Sequence, residues 1–319
     1  MKSFAMKSGA RMPALGLGTW KSAPGEVAAA VREAIRIGYR HFDCAPIYGN
    51  EAEIGSALAE VFASGDVKRE DLWITSKLWN SCHGRENVVP ALRRTLADLR
   101  LDYLNLYLVH WPVSLQHSIG IGYPQTAADF RGPDEVPLSE TWAGMEDAFS
   151  LGLCHNIGVC NFSVAKLKRL AGSAKITPVV DQVESHPYLP QAELVRHCSE
   201  NGIVLTAFAP LGSGDRPARV REAGDPVLME DTVIASIATS RGISPAQVLI
   251  AWAIQRSTSL IPKSTNPVRL AQNFEAASLT LSETEMAAIA GIDTHYRFLK
   301  GALWTTEGSP YTQATLWDE

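Results

Sequence analysis

The sequence predicts one α/β domain in which eight short apolar strands alternate with amphipathic helices. Three observations carry that prediction. Short Val/Ile/Leu-rich runs recur along the 319 residues, helical periods fill the gaps between them, and no linker or composition break divides the chain. Strict alternation implies a parallel sheet, either open or closed into a barrel, and one domain of this length is ordinary for a closed one.

The strands are expected at 15–19, 39–43, 72–77, 104–110, 156–160, 179–182, 203–208 and 260–262. Several are nearly continuous apolar runs, as befits strands buried on both faces. Between them, Val27, Val31 and Ala34 recur on one helical face, as do Ile54, Leu58, Val61 and Phe62. Val89, Leu92, Leu96 and Leu99 mark a third helix, and Trp142, Met145 and Phe149 a fourth. Ser244-Pro-Ala-Gln247 and Ser282-Glu-Thr-Glu285 have the form of capping boxes, in which side chain and backbone satisfy each other at a helix start.

Three stretches fit neither period: 112–137, 209–228 and the tail from Asp293 onward. Loops this long in a compact domain tend to serve function. The tail carries Tyr296, Phe298, Trp304, Tyr311 and Trp317. A segment so rich in aromatic surface is expected to pack, folding back over the mouth of the sheet.

Composition limits the function. Hydrophobic residues make up 46% and the formal net charge is −5, which gives no general attraction to nucleic acid or anionic membrane. No apolar run reaches the roughly 18 residues of a membrane span, and the N-terminus lacks the apolar stretch of a secretory signal. Five scattered cysteines, none spaced C-x-x-C, fit free thiols in a reducing cytoplasm. The adjacent pairs Cys82-His83, Cys154-His155 and His197-Cys198 lack zinc spacing, so no metal is expected. A monomer acting on a small molecule is the expected form.

In a closed barrel the chemistry collects at the C-terminal strand ends. Asp43, Lys77 and His110 end three successive expected strands, and Tyr48 follows the first of them. Such a set has a physical logic. An ordinary phenol is a poor acid at neutral pH, a nearby ammonium favours its phenolate, and a carboxylate partners the ammonium. On that logic Lys77 is expected to bring the Tyr48 pKa down. A lysine at a strand end also admits a Schiff-base lyase built on Lys77. A third alternative is a regulatory module that binds a nucleotide without turnover.

A possible anion site lies at Lys263-Ser-Thr-Asn-Pro-Val-Arg269. Asn266-Pro267 reads as N-cap and first helical residue, so free N–H groups point outward between two cations. Gly16-Leu-Gly18 lacks the third glycine of a dinucleotide-binding loop.

The order and spacing of six motifs add a resemblance. They are Pro13-Ala-Leu-Gly-Leu-Gly-Thr-Trp20, Gly38-Tyr-Arg-His-Phe-Asp-Cys-Ala-Pro-Ile-Tyr-Gly-Asn50, Leu101-Asp-Tyr-Leu-Asn-Leu-Tyr-Leu-Val-His-Trp-Pro112, Gly158-Val-Cys-Asn-Phe162, Gln182-Val-Glu-Ser-His-Pro187 and Ile261-Pro-Lys-Ser-Thr265. Over nearly its whole length the chain resembles the aldo-keto reductases of aldehyde- and aldose-reductase type.

That resemblance implies a single-domain (β/α)8 TIM barrel and an NADPH-dependent reduction of aldehydes, ketones or sugars to alcohols. It implies a tetrad of Asp43, Tyr48, Lys77 and His110, with Tyr48 as general acid. It assigns Lys263, Ser264 and Arg269 to the 2′-phosphate, with Gln272 and Asn273 near the adenine. Asn161 and Gln182 would hold the carboxamide beside Cys160, Leu211 and Ser213 the pyrophosphate, and Phe208 the nicotinamide face. Thr19, Trp20 and Asp43 complete the cofactor set. Trp20, Trp79, Trp111 and Trp304 would line the substrate pocket with Tyr48 and His110. The chain departs from the family pattern at Phe208-Ala209 (commonly Tyr-Ser), at Cys160 (a serine) and at Asp181 (an asparagine).

Overall fold

The computed structural model describes residues 2–319. Twelve strands occur in chain order among them. They are β1 (Ser3–Ala5), β2 (Arg11–Pro13), β3 (Leu17–Gly18), β4 (His41–Asp43), β5 (Trp73–Leu78), β6 (Leu106–Val109), β7 (Ser114–Leu115), β8 (Phe130–Arg131), β9 (Ile157–Cys160), β10 (Val180–Glu184), β11 (Val204–Phe208) and β12 (Ser259–Leu260). Helices α1 (Glu26–Ile37), α2 (Glu51–Ser64), α3 (Arg85–Leu99), α4 (Leu138–Ser150), α5 (Val164–Ala171) and α6 (Ala192–Glu200) follow the first six barrel strands in turn. Then come α7 (Thr232–Arg241), α8 (Pro245–Gln255), α9 (Pro267–Glu275), α10 (Glu283–Ala290) and the tail helix α11 (Gln313–Trp317).

The eight-stranded sheet runs β3-β4-β5-β6-β9-β10-β11-β12, every pair parallel. Its two edges meet. Leu15 bridges Leu260 and Gly18 bridges Lys263, with the Gly16 amide donating to the Leu260 carbonyl at 2.9 Å. The sheet is therefore a closed barrel, which resolves the alternative the sequence left open. Closure also explains the two glycines. A Cβ on Gly18 would lie 2.6 Å from the Ile261 carbonyl oxygen, and one on Gly16 would lie 2.7 Å from the His41 ring. They permit close approach at the seam.

The helix faces read from sequence are the buried ones, with Val27, Val31, Ala34, Leu58 and Leu92 all at or near zero exposure. Val89 and Phe62 sit at the edge of their stripes and are only partly buried. Both capping boxes form, at Ser244–Gln247 and Ser282–Glu285. The antiparallel pair β1-β2 precedes the barrel, and the pair β7-β8 lies inside the 112–137 stretch. No single helix among the described residues is long and apolar enough to cross a membrane.

The tail packs as its aromatic content requires. Trp304, Tyr311 and Leu316 join Trp79, Val113, Leu115 and Phe130 in a buried cluster beyond the strand ends. The Tyr311 hydroxyl donates to the Arg131 carbonyl at 2.9 Å and accepts the Ser114 amide at 2.9 Å. At its near end, the Glu184 carboxylate accepts the Phe298 amide at 2.6 Å and the Leu299 amide at 2.8 Å.

Candidate active site

Asp43 ends β4, Lys77 lies near the end of β5, and His110 follows β6, so adjacent strands set three side chains side by side. The loop after β4 turns through a short helical segment that returns Tyr48 over them. Lys77 is the hub. Its Nζ forms an ion pair with the Asp43 carboxylate, donates to the Cys44 carbonyl at 3.0 Å, and lies 3.3 Å from the Tyr48 hydroxyl. The second Asp43 oxygen accepts Gln182 Nε2 at 2.7 Å. Thr19 Oγ1 donates to the Asp43 carbonyl at 2.8 Å, and Asn50 Nδ2 to the Thr19 carbonyl at 2.9 Å. All of Asp43's strong acceptors are thereby engaged, which holds the lysine in one place.

Burial and charge compete at each group. Burial alone would lower the Lys77 pKa, but Asp43 and the adjoining Tyr48 reverse this and hold it above the ordinary lysine range. For Tyr48 the balance goes the other way. Burial raises the phenol pKa, and Lys77 offsets only part of the rise. Lys77 pulls the pKa down as expected, but the net shift is upward, because in this dry setting desolvation of a phenolate is the larger effect. Burial, then the Lys77 charge, hold His110 far below the usual histidine range, so its imidazole is neutral. Its Nδ1 is buried with no hydrogen-bond partner among the described residues.

One cavity of about 830 Å³ connects these groups with the other candidates. Its lining includes Thr19, Trp20, Asp43, Tyr48, Trp79, His110, Trp111, Cys160, Asn161, Gln182, Phe208, Leu211 and Ser213. It continues past Lys263, Ser264, Arg269, Gln272 and Asn273, with Trp304 at the opposite end. Lys77 alone among the candidates is absent from the wall, being 1% exposed beneath the floor. A charged, ion-paired and covered amine is ill placed to attack a carbonyl, which argues against the Schiff-base alternative.

The aromatic end is built from ring contacts. His110 meets Trp79 edge-on at 5.2 Å and Tyr48 at 5.9 Å, while Trp304 packs on Trp79 at 5.8 Å and on Trp111 at 5.4 Å. Trp79 Nε1 donates to the Gly122 carbonyl at 2.8 Å, which anchors the 112–137 loop as one wall.

The other end suits an elongated anion. The Asn266 side chain caps α9 by accepting the Arg269 amide at 3.0 Å, and the Asn266 carbonyl accepts the Leu270 amide. Pro267 has no N–H, so the cap leaves the Val268 amide as the first-turn donor without a partner among the described residues. Of the free N–H groups expected at this helix start, those of Arg269 and Leu270 are already taken. Neither Lys263 nor Arg269 takes part in an ion pair among the described residues.

Between the two ends, the Asn161 side chain donates to the His110 carbonyl at 2.9 Å and leaves its buried Oδ1 unsatisfied. An amide N–H arriving from the cavity would satisfy it. Four non-glycine residues of the lining, Lys21, Asn161, Ala209 and Ser213, adopt left-handed backbone conformations. Such positions cost about 1 kcal/mol or more each, and their gathering around one cavity is typical of a binding site.

Sequence reasoning missed the strap. Lys21 Nζ bonds Asp215 Oδ1 at 2.5 Å and Ser213 Oγ at 3.2 Å, joining the 209–228 stretch to the far side of the cavity. The partners lie 194 residues apart, so no local pattern signals them. Asp225 likewise accepts from Arg216 and from the tail residue Tyr296. Among the described residues no group of three or more His, Cys, Asp or Glu gathers as a metal site, and all five cysteines are buried and free.

A closed parallel barrel whose cavity joins a tyrosine over a buried, ion-paired lysine to two cations free of ion pairs among the described residues defines a class, the barrel enzymes with their site at the strand ends. The profile of the aldo/keto reductase family matches residues 14–294. An aldo/keto reductase of Synechocystis is 54% identical over 100% of this chain and 97% of its own. Aldo-keto reductase family 1 member A1 of Mus musculus is 45% identical over 93% of this chain and 91% of its own. Among solved structures, the aldose reductase of Schistosoma japonicum superposes with a TM-score of 0.86 at 38% identity, covering 95% of this chain and 96% of that one. A Bombyx mori aldo-keto reductase in complex with NADP gives 0.83 at 36% identity, with the same shares covered. The chain belongs to the aldo/keto reductase family, oxidoreductases that interconvert carbonyls and alcohols with NADP(H).

Proposed function

We propose that this protein is an NADPH-dependent aldehyde reductase of broad range, with Tyr48 as general acid. One observation carries the reading. The Tyr48 hydroxyl stands 3.3 Å from a buried, ion-paired ammonium, on the wall of the same cavity that Lys263 and Arg269 line.

When bound, reduced nicotinamide supplies a hydride. Lys263, Ser264 and Arg269 would hold the 2′-phosphate, Leu211 and Ser213 the pyrophosphate, and Gln272 and Asn273 the adenine. Asn161 Oδ1 and Gln182 would hold the carboxamide, and Phe208 would offer its ring face to the nicotinamide. Cys160 provides only a weak donor where a serine would give a strong one.

The neutral His110 imidazole orients the carbonyl oxygen without competing for charge. Because burial keeps Tyr48 protonated, its proton is in place at neutral pH and leaves only for a stronger base, the alkoxide formed on the substrate. Lys77 then neutralises the phenolate, and Asp43 keeps Lys77 charged. The walls of Trp20, Trp79, Trp111 and Trp304 favour apolar and aromatic aldehydes through dispersion and exclude water. Open-chain sugars present the same aldehyde to Tyr48 and His110.

Loss of NADPH absorbance with a panel of aldehydes tests this directly. Wild type is expected to turn over several of them, and Tyr48→Phe to lose on the order of 10²–10⁴ in kcat while still binding NADPH. Undiminished turnover by Tyr48→Phe would remove the phenol from the mechanism. Tight NADPH binding with no turnover of any carbonyl would favour the regulatory-module reading.

A further inference from the structure

The tail that closes the aromatic end is held from outside the cavity. Lys166 lies on α5, away from the cavity wall and 5% exposed, an unusual place for an amine. Its Nζ donates to the Thr315 carbonyl at 2.8 Å, the Leu316 carbonyl at 2.9 Å and the Asp318 carboxylate at 2.5 Å. The two carbonyls are ones that the last turn of α11 leaves open, and with the carboxylate they give the three ammonium donors three acceptors. Asp318 ends α11 in a left-handed conformation, and its carboxylate also accepts from Ser163, the N-cap of α5. A negative charge at that helix start is favoured by the dipole.

From α11 a short chain of contacts reaches the cavity. Leu316 packs so closely on Gly301 that a Cβ there would lie 2.5 Å from Leu316 Cδ2. Trp317 Nε1 donates to the Lys300 carbonyl at 2.9 Å, and the Trp317 ring rests on Trp111 at 5.9 Å. Lys300, Gly301, Trp111 and Trp304 are lining residues.

We propose that Lys166, through Asp318 and α11, is a specificity-determining positioning residue that fixes the aromatic wall against bulky substrates. It touches neither the reacting atoms nor the cofactor arm. Its removal frees the end of α11, and with it the support beneath 300–304 and the Trp317 face of Trp111. Large ring systems that use the whole wall lose their complement. Small aldehydes, which need only Tyr48 and His110, do not. The inference rests on the aldehyde-reductase reading above.

The test uses full-length wild type, Lys166→Met and Asp318→Asn with propanal and biphenylcarbaldehyde. Both variants are expected to lose roughly tenfold in kcat/KM for biphenylcarbaldehyde, through KM, with kcat/KM for propanal and NADPH affinity kept within about twofold. Arg169→Met removes only an exposed 3.4 Å contact to Asp318 and should move neither substrate. Acrylamide quenching of tryptophan fluorescence should rise in Lys166→Met and Asp318→Asn, showing the wall loosened independently of turnover. An unmoved ratio between the two aldehydes, or an equal loss on both, overturns the proposal. Wild type inactive on both aldehydes would overturn the reductase reading instead, and unchanged quenching would then overturn the positioning role of Lys166.

Discussion

Asp181→Asn should stabilise the protein, and increasingly so as pH rises. Asp181 sits on β10, fully buried, and although the Phe162 amide approaches it, neither carboxylate oxygen completes a hydrogen bond. No ion pair accompanies it among the described residues, and burial pushes its pKa well above the usual carboxylate range. The unfolded chain releases this proton near pH 3.9. A folded-state pKa above the unfolded one means that folding binds the proton. Stability is therefore complete below about pH 3.9 and falls as pH rises toward the folded value, by about 1.4 kcal/mol per pH unit.

Asparagine keeps the shape and cannot ionise. The advantage of Asp181→Asn should therefore grow with pH between the unfolded and the folded pKa, at about 1.4 kcal/mol per pH unit. Urea unfolding followed by tryptophan fluorescence at several pH values measures it. Midpoints that diverge with pH support the reasoning. A difference that stays constant across that range would show that Asp181 has a partner in the folded state and refute it.

Two further predictions concern the cofactor arm. Lys263→Ala and Arg269→Ala should each weaken NADPH binding by roughly tenfold or more while leaving NADH binding nearly unchanged, as read by fluorescence titration; equal losses for both nucleotides would place the 2′-phosphate elsewhere. Asp215→Asn removes the charge that ties the strap to Lys21 and should speed NADPH dissociation several-fold in stopped-flow fluorescence, with equal rates arguing that the strap is held by its other contacts.

Much of this architecture was legible because it is local. Strand runs, helix stripes, two capping boxes and the Asn266 cap depend on residues a few positions apart, and they form where the patterns place them. Strand ends were less exact: β10 continues to Glu184, past the expected end at Gln182, and so carries the carboxylate that docks the tail. The residues converging on the cavity could be named from strand ends, since parallel strands carry their last side chains to one rim.

What escaped was non-local. The two-residue strands β7 and β8 carry too little pattern to announce their pairing across the 112–137 stretch. Lys21–Asp215 and Lys166–Asp318 join segments 194 and 152 residues apart. The direction of the Tyr48 shift also escaped, because it depends on how dry the site is. A neighbouring ammonium can be inferred from spacing, but the extent of burial that outweighs it cannot.

Single turnover with NADPH carrying deuterium at the transferring C4 position probes the mechanism most directly. With a reactive aldehyde, wild type should place one deuterium on the carbinol carbon, and Tyr48→Phe should bind the nucleotide yet transfer almost none. An alcohol without deuterium, or unimpaired transfer by the variant, would contradict a phenol-assisted hydride reduction at this site.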